Sequence, residues 1–186
     1  MSYTGLNYTI LCLAFVINGL GSFFIVKKNV YRYGMVLIIS LIVTSGLCLL
    51  FYAMDFYRFV LPLPAVLPVV AISFSFLALF IIRYRPRDKT FPFFFITLTL
   101  VFTIEVFLKD YAGFIRFKNG WDYWDSYSLY WVFARLFNYV GVYLVPYHFR
   151  HPVKSDTKTY WGLFFLMVVY SVFGVYLLNQ IGTEDY

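Results

Sequence analysis

The sequence predicts an all-α protein, a polytopic bundle of about six transmembrane helices, and its composition and apolar runs carry that prediction. Hydrophobic residues make up 62% of the 186 residues and charged residues 13%, whereas a soluble domain carries about 45–50% apolar and about 25% charged residues. The mean hydropathy of +0.75 agrees with this bias. Too little polar surface remains to cover a water-soluble globule, and disordered, collagen-like and disulfide-scaffold chains are excluded as well.

Six apolar runs approach the length of about 20 residues that a helix needs to cross a bilayer. They cover residues 6–26, 34–54, 59–82, 91–108, 127–147 and 160–178. The connectors between them are short, so we expect a single integral membrane domain over 1–186. The first run has no basic residue before it and is long enough to span, which favours a retained helix over a cleaved signal peptide.

The third run contains three prolines, Pro62, Pro64 and Pro68. Proline is tolerated in the first turn of a helix but removes a hydrogen bond from its interior. Either the helix begins near Pro62 and kinks at Pro68, or it begins at Pro68 and residues 59–67 form an interfacial or re-entrant segment. The kinked span is favoured because membrane helices absorb prolines by local adjustment.

Basic residues lie mainly in the connectors on one side of the predicted bundle. Ten Lys and Arg side chains fall within 27–32, 83–89 and 150–158, and four fall in the opposite connectors, at Arg58 and within 109–118. The positive-inside rule then places both termini outside. The net charge of +6 therefore predicts orientation in a lipid bilayer and no nucleic-acid partner, with a membrane-protein partner or a homo-oligomer left open.

Two ionisable residues interrupt the predicted spans. Glu105 lies about one turn from the outer end of the fourth helix, and Arg135 about two turns from the outer end of the fifth. Because an isolated charge is costly in a bilayer, we expect the two to pair or to share one polar pocket, either as a structural ion pair or as part of a ligand site. Asn138 and Trp131 lie three residues after and four before Arg135, so they share its helix face and join the candidate site.

The outer connector before the fifth helix is rich in aromatic rings and carboxylates. Its candidate ligand-binding residues are Trp121, Asp122, Trp124 and Asp125. Rings beside carboxylates favour a cationic ligand, but tryptophan and tyrosine at this depth are also typical of an interfacial aromatic belt, which is the favoured interpretation. A turn is predicted at Asn119–Gly120.

Motifs for catalysis or metal binding are not found in the sequence. It contains no nucleophile elbow, zinc-protease helix, phosphate loop or cysteine cluster. His148 and His151 lie three residues apart, without the thiol or carboxylate partners of a metal site. We expect no cofactor, no metal and no catalytic residues, and an enzymatic function is not favoured.

One segment carries a resemblance. Residues 104–127 combine a membrane glutamate, a glycine, an aromatic residue, Gly–Trp, a second tryptophan and a serine, at Glu105, Gly113, Phe117, Gly120, Trp121, Trp124 and Ser126. This pattern resembles a segment of a family of small uncharacterised multi-pass membrane proteins of spore-forming Gram-positive bacteria. The resemblance implies a location in the bacterial plasma membrane and implies no activity.

Three functions remain open. The first is a non-enzymatic membrane protein that binds a small molecule or serves as a subunit of a complex, and it is favoured. The second is a small transporter or substrate-capture component, which predicts a water-accessible path. The third is a membrane-embedded enzyme acting on a lipid or isoprenoid, which predicts that at least two carboxylates converge on one cavity.

Overall fold

Six long helices and one small two-stranded β-sheet form the part of the chain that the structure, a computed structural model, describes: the backbone of residues 3–182 and the side chains of residues 5–176. The helices are α1 (Tyr3–Val26), α2 (Val30–Ala53), α3 (Leu63–Tyr84), α4 (Thr90–Val106), α5 (Tyr123–Leu144) and α6 (Lys158–Gly182). The strands are β1 (Tyr57–Phe59) and β2 (Ile115–Phe117). A π-helical turn, Phe107–Tyr111, extends α4, and a 3-10 turn, Tyr147–Phe149, follows α5.

The helices alternate in direction between two ends of the bundle. We call the end that carries residues 83–89 and 148–154 the basic end; there the backbone N–H of His151 donates to the carbonyl of Arg83 over 2.8 Å. We call the end that carries β1 and β2 the sheet end. Each helix starts at the end where the preceding one stops, as expected for successive antiparallel passes joined by short connectors.

α3 is the central helix and packs on α1, α2 and α5, whereas α4 packs on α5 and α6. Fully buried side chains concentrate on α3, among them Leu79, Ile81 and Ile82. Large apolar side chains point outward on the surrounding helices, as at Ile42, 68% exposed, and Val169, 67% exposed. A surface this apolar is suited to lipid rather than water, so the helical architecture is compatible with a membrane protein.

Five of the six helices in the described residues are long and apolar enough to cross a membrane: α1, α2, α3, α6, and α4 with its π turn. α5 has comparable length but is less apolar, because five tyrosines, two tryptophans, Arg135 and Asn138 lie within it. The prediction of a helical membrane bundle is therefore confirmed, whereas the number of spans and their orientation stay predictions.

The third predicted span starts later than expected. α3 begins at Leu63 with Pro64 in its first turn and continues through Pro68, so it agrees with the favoured alternative of one long helix. The predicted lower bound of 59 is wrong, because Phe59 belongs to β1, which pairs with β2. Apolar content alone does not separate an inward-facing strand from the start of a helix.

α5 starts at Tyr123, four residues before the predicted bound of 127. Asp122 precedes it as the N-cap and accepts hydrogen bonds from the backbone N–H groups of Trp124 and Asp125, while the Asp125 side chain accepts from the backbone N–H of Asp122. This reciprocal capping box satisfies amide donors that the first turn leaves free. The early start lengthens the distance from the sheet end to every later residue of α5.

The two-stranded sheet is an addition to the predicted all-α fold. Its two strands are antiparallel and come from connectors far apart in sequence, with Tyr57 opposite Phe117 and Phe59 opposite Ile115. Arg58 and Arg116 face each other on the other side and are exposed. Since side chains alternate along a strand, this register directs the aromatic residues of both strands toward the bundle.

Candidate functional site

Glu105 lies in the last turn of α4 and is only 5% exposed. One carboxyl oxygen, Oε1, accepts a hydrogen bond from the hydroxyl of Tyr57 over 3.1 Å. The other oxygen, Oε2, is buried and has no hydrogen-bond partner among the described residues. A buried polar atom without a partner costs free energy, so this oxygen is the feature of the fold that most requires a ligand or a functional explanation.

The hydroxyl of Tyr57 is the centre of a small polar network. It lies 2.6 Å from Ser126 Oγ, and the indole N–H of Trp121 donates to both hydroxyls, over 3.0 Å to Tyr57 and 2.9 Å to Ser126. With the Tyr57 proton donated to Glu105, the Ser126 hydroxyl donates to Tyr57. The network therefore orients the Tyr57 hydroxyl toward the carboxylate.

Local structure at the sheet end explains why these side chains meet. Tyr57 is on the inward face of β1, and Ser126 is fully buried in the first turn of α5, where the capping box fixes the start of the helix. In the π turn after Glu105, Lys109 Nζ donates to the hydroxyl of Tyr123 over 2.6 Å. The end of α4 and the start of α5 are thereby held together beside β1.

Aromatic rings surround the Tyr57 hydroxyl. The Trp121 ring centroid lies 5.1 Å from that of Phe51, 5.0 Å from that of Phe56 and 5.5 Å from that of Tyr57. Burial, together with the negative charge of Glu105, raises the pKa of Tyr57 far above its usual value of 10.0. Tyr57 is therefore a neutral hydrogen-bond donor at physiological pH.

A cavity of about 590 Å³ lies between α3 and α4 and is bounded by Glu105 at the sheet end. We call it the α3–α4 cavity. Most of its walls are apolar: Val66, Val70, Leu77, Ile96, Val101 and Phe133 are among the lining residues. Its volume is within the range of about 300–1,000 Å³ that is typical of small-molecule sites.

A few polar groups interrupt the apolar lining of the cavity. They include Glu105, Tyr57 and Tyr130 near the sheet end, and Thr44 on α2. Thr44 Oγ1 is buried and, like Glu105 Oε2, has no hydrogen-bond partner among the described residues. The lining continues to Tyr160 beside the basic end, so the cavity is long as well as apolar.

Glu105 and Arg135 do not meet. The ion pairs among the described side chains are Arg58–Asp55, Lys89–Asp156 and Lys109–Asp110. Arg135 is exposed, and its guanidinium lies over the ring of Phe94, 5.7 Å from the centroid. Phe94 and Glu105 are eleven residues apart on α4, or about 16 Å along its axis. The predicted pairing is therefore contradicted, because α5 starts early and places Arg135 near the basic end.

Asn138 and Trp131 also lie away from Glu105. Asn138 Oδ1 accepts a hydrogen bond from Arg85, which follows α3 at the basic end. The Trp131 ring stacks on Phe91, with 5.7 Å between centroids. These three candidates on α5 thus share one half of the molecule with the basic residues.

The candidates of the aromatic connector separate into two groups. Trp121 joins the polar network at Glu105, whereas Trp124 is 60% exposed. Asp122 and Asp125 are exposed and form the cap of α5. They do not face the α3–α4 cavity. The predicted turn at Asn119–Gly120 is confirmed, since both residues have positive φ angles, 51° and 77°.

Sequence reasoning did not identify Tyr57, Ser126 or Thr44 as site residues. A signal for Tyr57 exists in the repeated pattern Tyr–Arg–Phe at 57–59 and Ile–Arg–Phe at 115–117, where an arginine separates two apolar residues in each segment. Alternation of this kind is typical of a strand with one buried face. Three residues are a short segment, and only the partner strand makes the pattern meaningful.

Comparison with known proteins adds no identification. No family model, curated protein or solved structure matches this chain. Functional conclusions therefore depend on the geometry of its own residues.

Proposed function

We propose that this integral membrane protein binds an amphiphilic small molecule in the α3–α4 cavity, with the apolar part between the two helices and a hydrogen-bond donor group against Glu105. The observation that carries the proposal is Glu105 Oε2, which has no hydrogen-bond partner within the described part of the chain; the side chain is only 5% exposed and lines a largely apolar cavity of about 590 Å³. A hydroxyl or amine on the ligand supplies the missing hydrogen bond.

The walls of the cavity support entry from the lipid phase. Leu100 and Ile104 line the cavity from α4, and they are also 48% and 60% exposed on the outer surface of the bundle. The cavity therefore opens sideways between helices, toward the region where a bilayer holds acyl chains. A molecule with an apolar chain enters along this path without crossing water.

The enzyme alternative has less support. It requires at least two carboxylates that converge on one cavity, and Asp122 and Asp125 are instead exposed and engaged in the helix cap. Glu105 is the carboxylate that lines the α3–α4 cavity in the described part of the chain. One carboxyl group in the cavity gives little support for general acid–base catalysis.

The transport alternative shares the same cavity. Its lining extends from Tyr57 to Tyr160, along most of the bundle, but is dominated by aliphatic and aromatic side chains. Such a lining favours an apolar occupant over an ion or a sugar. We place the protein in a bacterial plasma membrane, with both termini outside, as part of the same proposal.

The experiment compares lipids that copurify with the protein and with three variants, extracted from detergent-purified samples and quantified by mass spectrometry. Glu105→Leu removes the acceptor, and a buried unpaired charge replaced by an apolar residue is often tolerated or stabilising. Val70→Phe fills the cavity from α3. Val132→Phe adds the same bulk on a lipid-facing position of α5, 64% exposed, and is the matched control.

We expect one amphiphile to be enriched in the native protein and in Val132→Phe, and to be lost from both Glu105→Leu and Val70→Phe. Retention of the same lipid profile in all four samples contradicts the proposal. Loss in Val132→Phe as well shows non-specific lipid contact, which also contradicts it.

A further inference from the structure

Three arginines donate to the half of α5 that lies at the basic end, and a fourth belongs to that half of the helix. Arg85 donates to Asn138 Oδ1, and Arg150 donates to the carbonyls of Gly141 and Val145, each over 2.7 Å. Arg32 donates to the carbonyl of Leu144 over 3.2 Å. Arg135 lies one turn before Asn138 on α5. We call Arg32, Arg85, Arg135 and Arg150 the arginine cluster.

The arginine cluster has no carboxylate partner among the described side chains. The ion pairs there involve Arg58, Lys89 and Lys109, none of which belongs to the cluster. Burial lowers the pKa of Arg85, and the charge of Arg135 lowers it further. Arg85 is thus repelled by Arg135, and it repels Arg150 in turn, so an anion bound beside it is stabilised.

Two of the four arginines already have a structural role. Arg32 donates to the carbonyl of Leu144 and Arg150 to that of Val145, at the C-terminal end of α5, and so they cap the helix. Arg85 and Arg135 do not contact these carbonyls. Arg85 Nε is buried with no hydrogen-bond partner among the described residues, and the Arg135 side chain is exposed. The fork of Arg135 is therefore open to a ligand, and Arg85 Nε lacks a hydrogen bond that an anion placed beside it supplies.

The ligand chemistry follows from the donors. A guanidinium group offers five N–H donors in a planar fork that matches a phosphate or carboxylate, and phosphate accepts from several forks at once. An amide side chain, Asn138, lies beside the two forks and offers N–H donors of its own. Basic pockets between membrane helices are suited to phosphate-containing lipid headgroups.

We propose that Arg85, Arg135 and Asn138 form a binding site for a phosphoryl-bearing anion at the basic end of α5. The site is separate from the α3–α4 cavity, since Arg85, Arg135 and Asn138 are not among the residues that line that cavity. Phosphate chemistry has two sources here, a lipid headgroup and soluble phosphate, and both are tested.

The experiment uses the full chain in a neutral detergent and measures the binding of two probes by the shift of its thermal unfolding, followed by tryptophan fluorescence. One probe is phosphatidic acid in the micelle, and the other is sodium phosphate against sodium chloride at equal ionic strength. Arg85→Gln and Arg135→Gln each remove one fork. Arg87→Gln is the matched control, because it removes the same charge from the same end and Arg87 lies over Tyr147, outside the cluster.

We expect saturable binding of at least one probe, weakened about tenfold by Arg85→Gln and by Arg135→Gln and less than about twofold by Arg87→Gln. Arg85→Lys keeps the charge without the fork and is expected to restore only part of the affinity. Arg135 is exposed, so its variant remains informative if Arg85→Gln fails to fold.

The two probes distinguish the sources. Saturable binding of phosphatidic acid with weak competition by phosphate indicates a lipid headgroup, and tight binding of phosphate alone indicates a soluble ligand; both support the site. Equal weakening by Arg87→Gln shows that only the general surface charge matters and overturns the proposal. The absence of saturable binding for both probes overturns it as well.

Discussion

Replacing Tyr57 by phenylalanine tests the polar network at Glu105 most directly. The substitution keeps the ring and its contacts with Phe51 and Trp121, and it deletes only the hydroxyl. Trp121 and Ser126 keep their own hydrogen bond of 2.9 Å. Both lose their bond to Tyr57, but Glu105 alone is left with no hydrogen bond among the described residues, because Oε2 has none and Oε1 then has none.

The magnitude follows from that single loss. A buried polar group left without a partner costs about 1–3 kcal/mol in soluble proteins, whereas hydrogen bonds between membrane helices average about 0.6 kcal/mol and reach about 1.7 kcal/mol. Because the Glu105 carboxyl group is 95% buried by area and ends with neither oxygen paired, we expect the upper part of the membrane range. The predicted loss in the free energy of unfolding is about 1–2 kcal/mol.

The assay is reversible unfolding in mixed micelles with increasing dodecyl sulfate, followed by tryptophan fluorescence. Tyr111→Phe is the matched control at the same end of the bundle, since Tyr111 is 80% exposed, and its expected effect is within about 0.5 kcal/mol. Tyr57→Phe is then repeated in a Glu105→Leu background, where the cost is expected to fall to what remains from the lost bonds to Ser126 and Trp121. An equal cost in both backgrounds refutes the inferred hydrogen bond.

Three further outcomes are expected. Above pH 10 Tyr57 ionises in the unfolded state and stays neutral in the folded state, because its folded pKa is raised. The stability present below pH ~10 is therefore lost as pH rises, by up to about 1.4 kcal/mol per pH unit. In the same unfolding assay, Tyr57→Phe should show a shallower decrease of stability with alkaline pH. Gly141→Ala brings a Cβ to 2.5 Å from Ile82 Cγ1, a fully buried side chain, so we expect a loss of about 1–3 kcal/mol, against no loss for Gly46→Ala, which has open space. With both termini outside, a cysteine at Asn119 should react with a membrane-impermeant maleimide in intact cells and one at Arg87 should not; the reverse pattern excludes the predicted orientation.

Helix positions were largely predictable from the sequence because lipid imposes one strong requirement, a long apolar run with internally paired backbone. The ends were less predictable, and the reason is chemical. Asp122 looks like a polar loop residue, yet it caps α5 together with Asp125. Counting apolar residues misses such a cap, so the start of α5 was placed four residues late.

That displacement explains why the predicted pairing of Glu105 with Arg135 failed. Depth was inferred from distances to helix ends, so an error of one turn in α5 moved Arg135 toward Glu105. Glu105 itself was correctly recognised as an anomaly in an apolar helix, whereas its true partner, Tyr57, comes from a strand that forms only with residues 115–117. Long-range pairing between short strands leaves almost no trace in local composition.

The pairing of β1 with β2 also sets the order in which the site assembles. Tyr57 is paired with Phe117, sixty positions later in the chain, so β1 has no partner until α3, α4 and the π turn have left the ribosome. At about 5–20 residues per second this amounts to a delay of about 3–12 s. During that interval the carboxyl group of Glu105 enters the bilayer before the tyrosine hydroxyl is fixed beside it, and membrane insertion of α4 must tolerate a side chain whose hydrogen bond forms last.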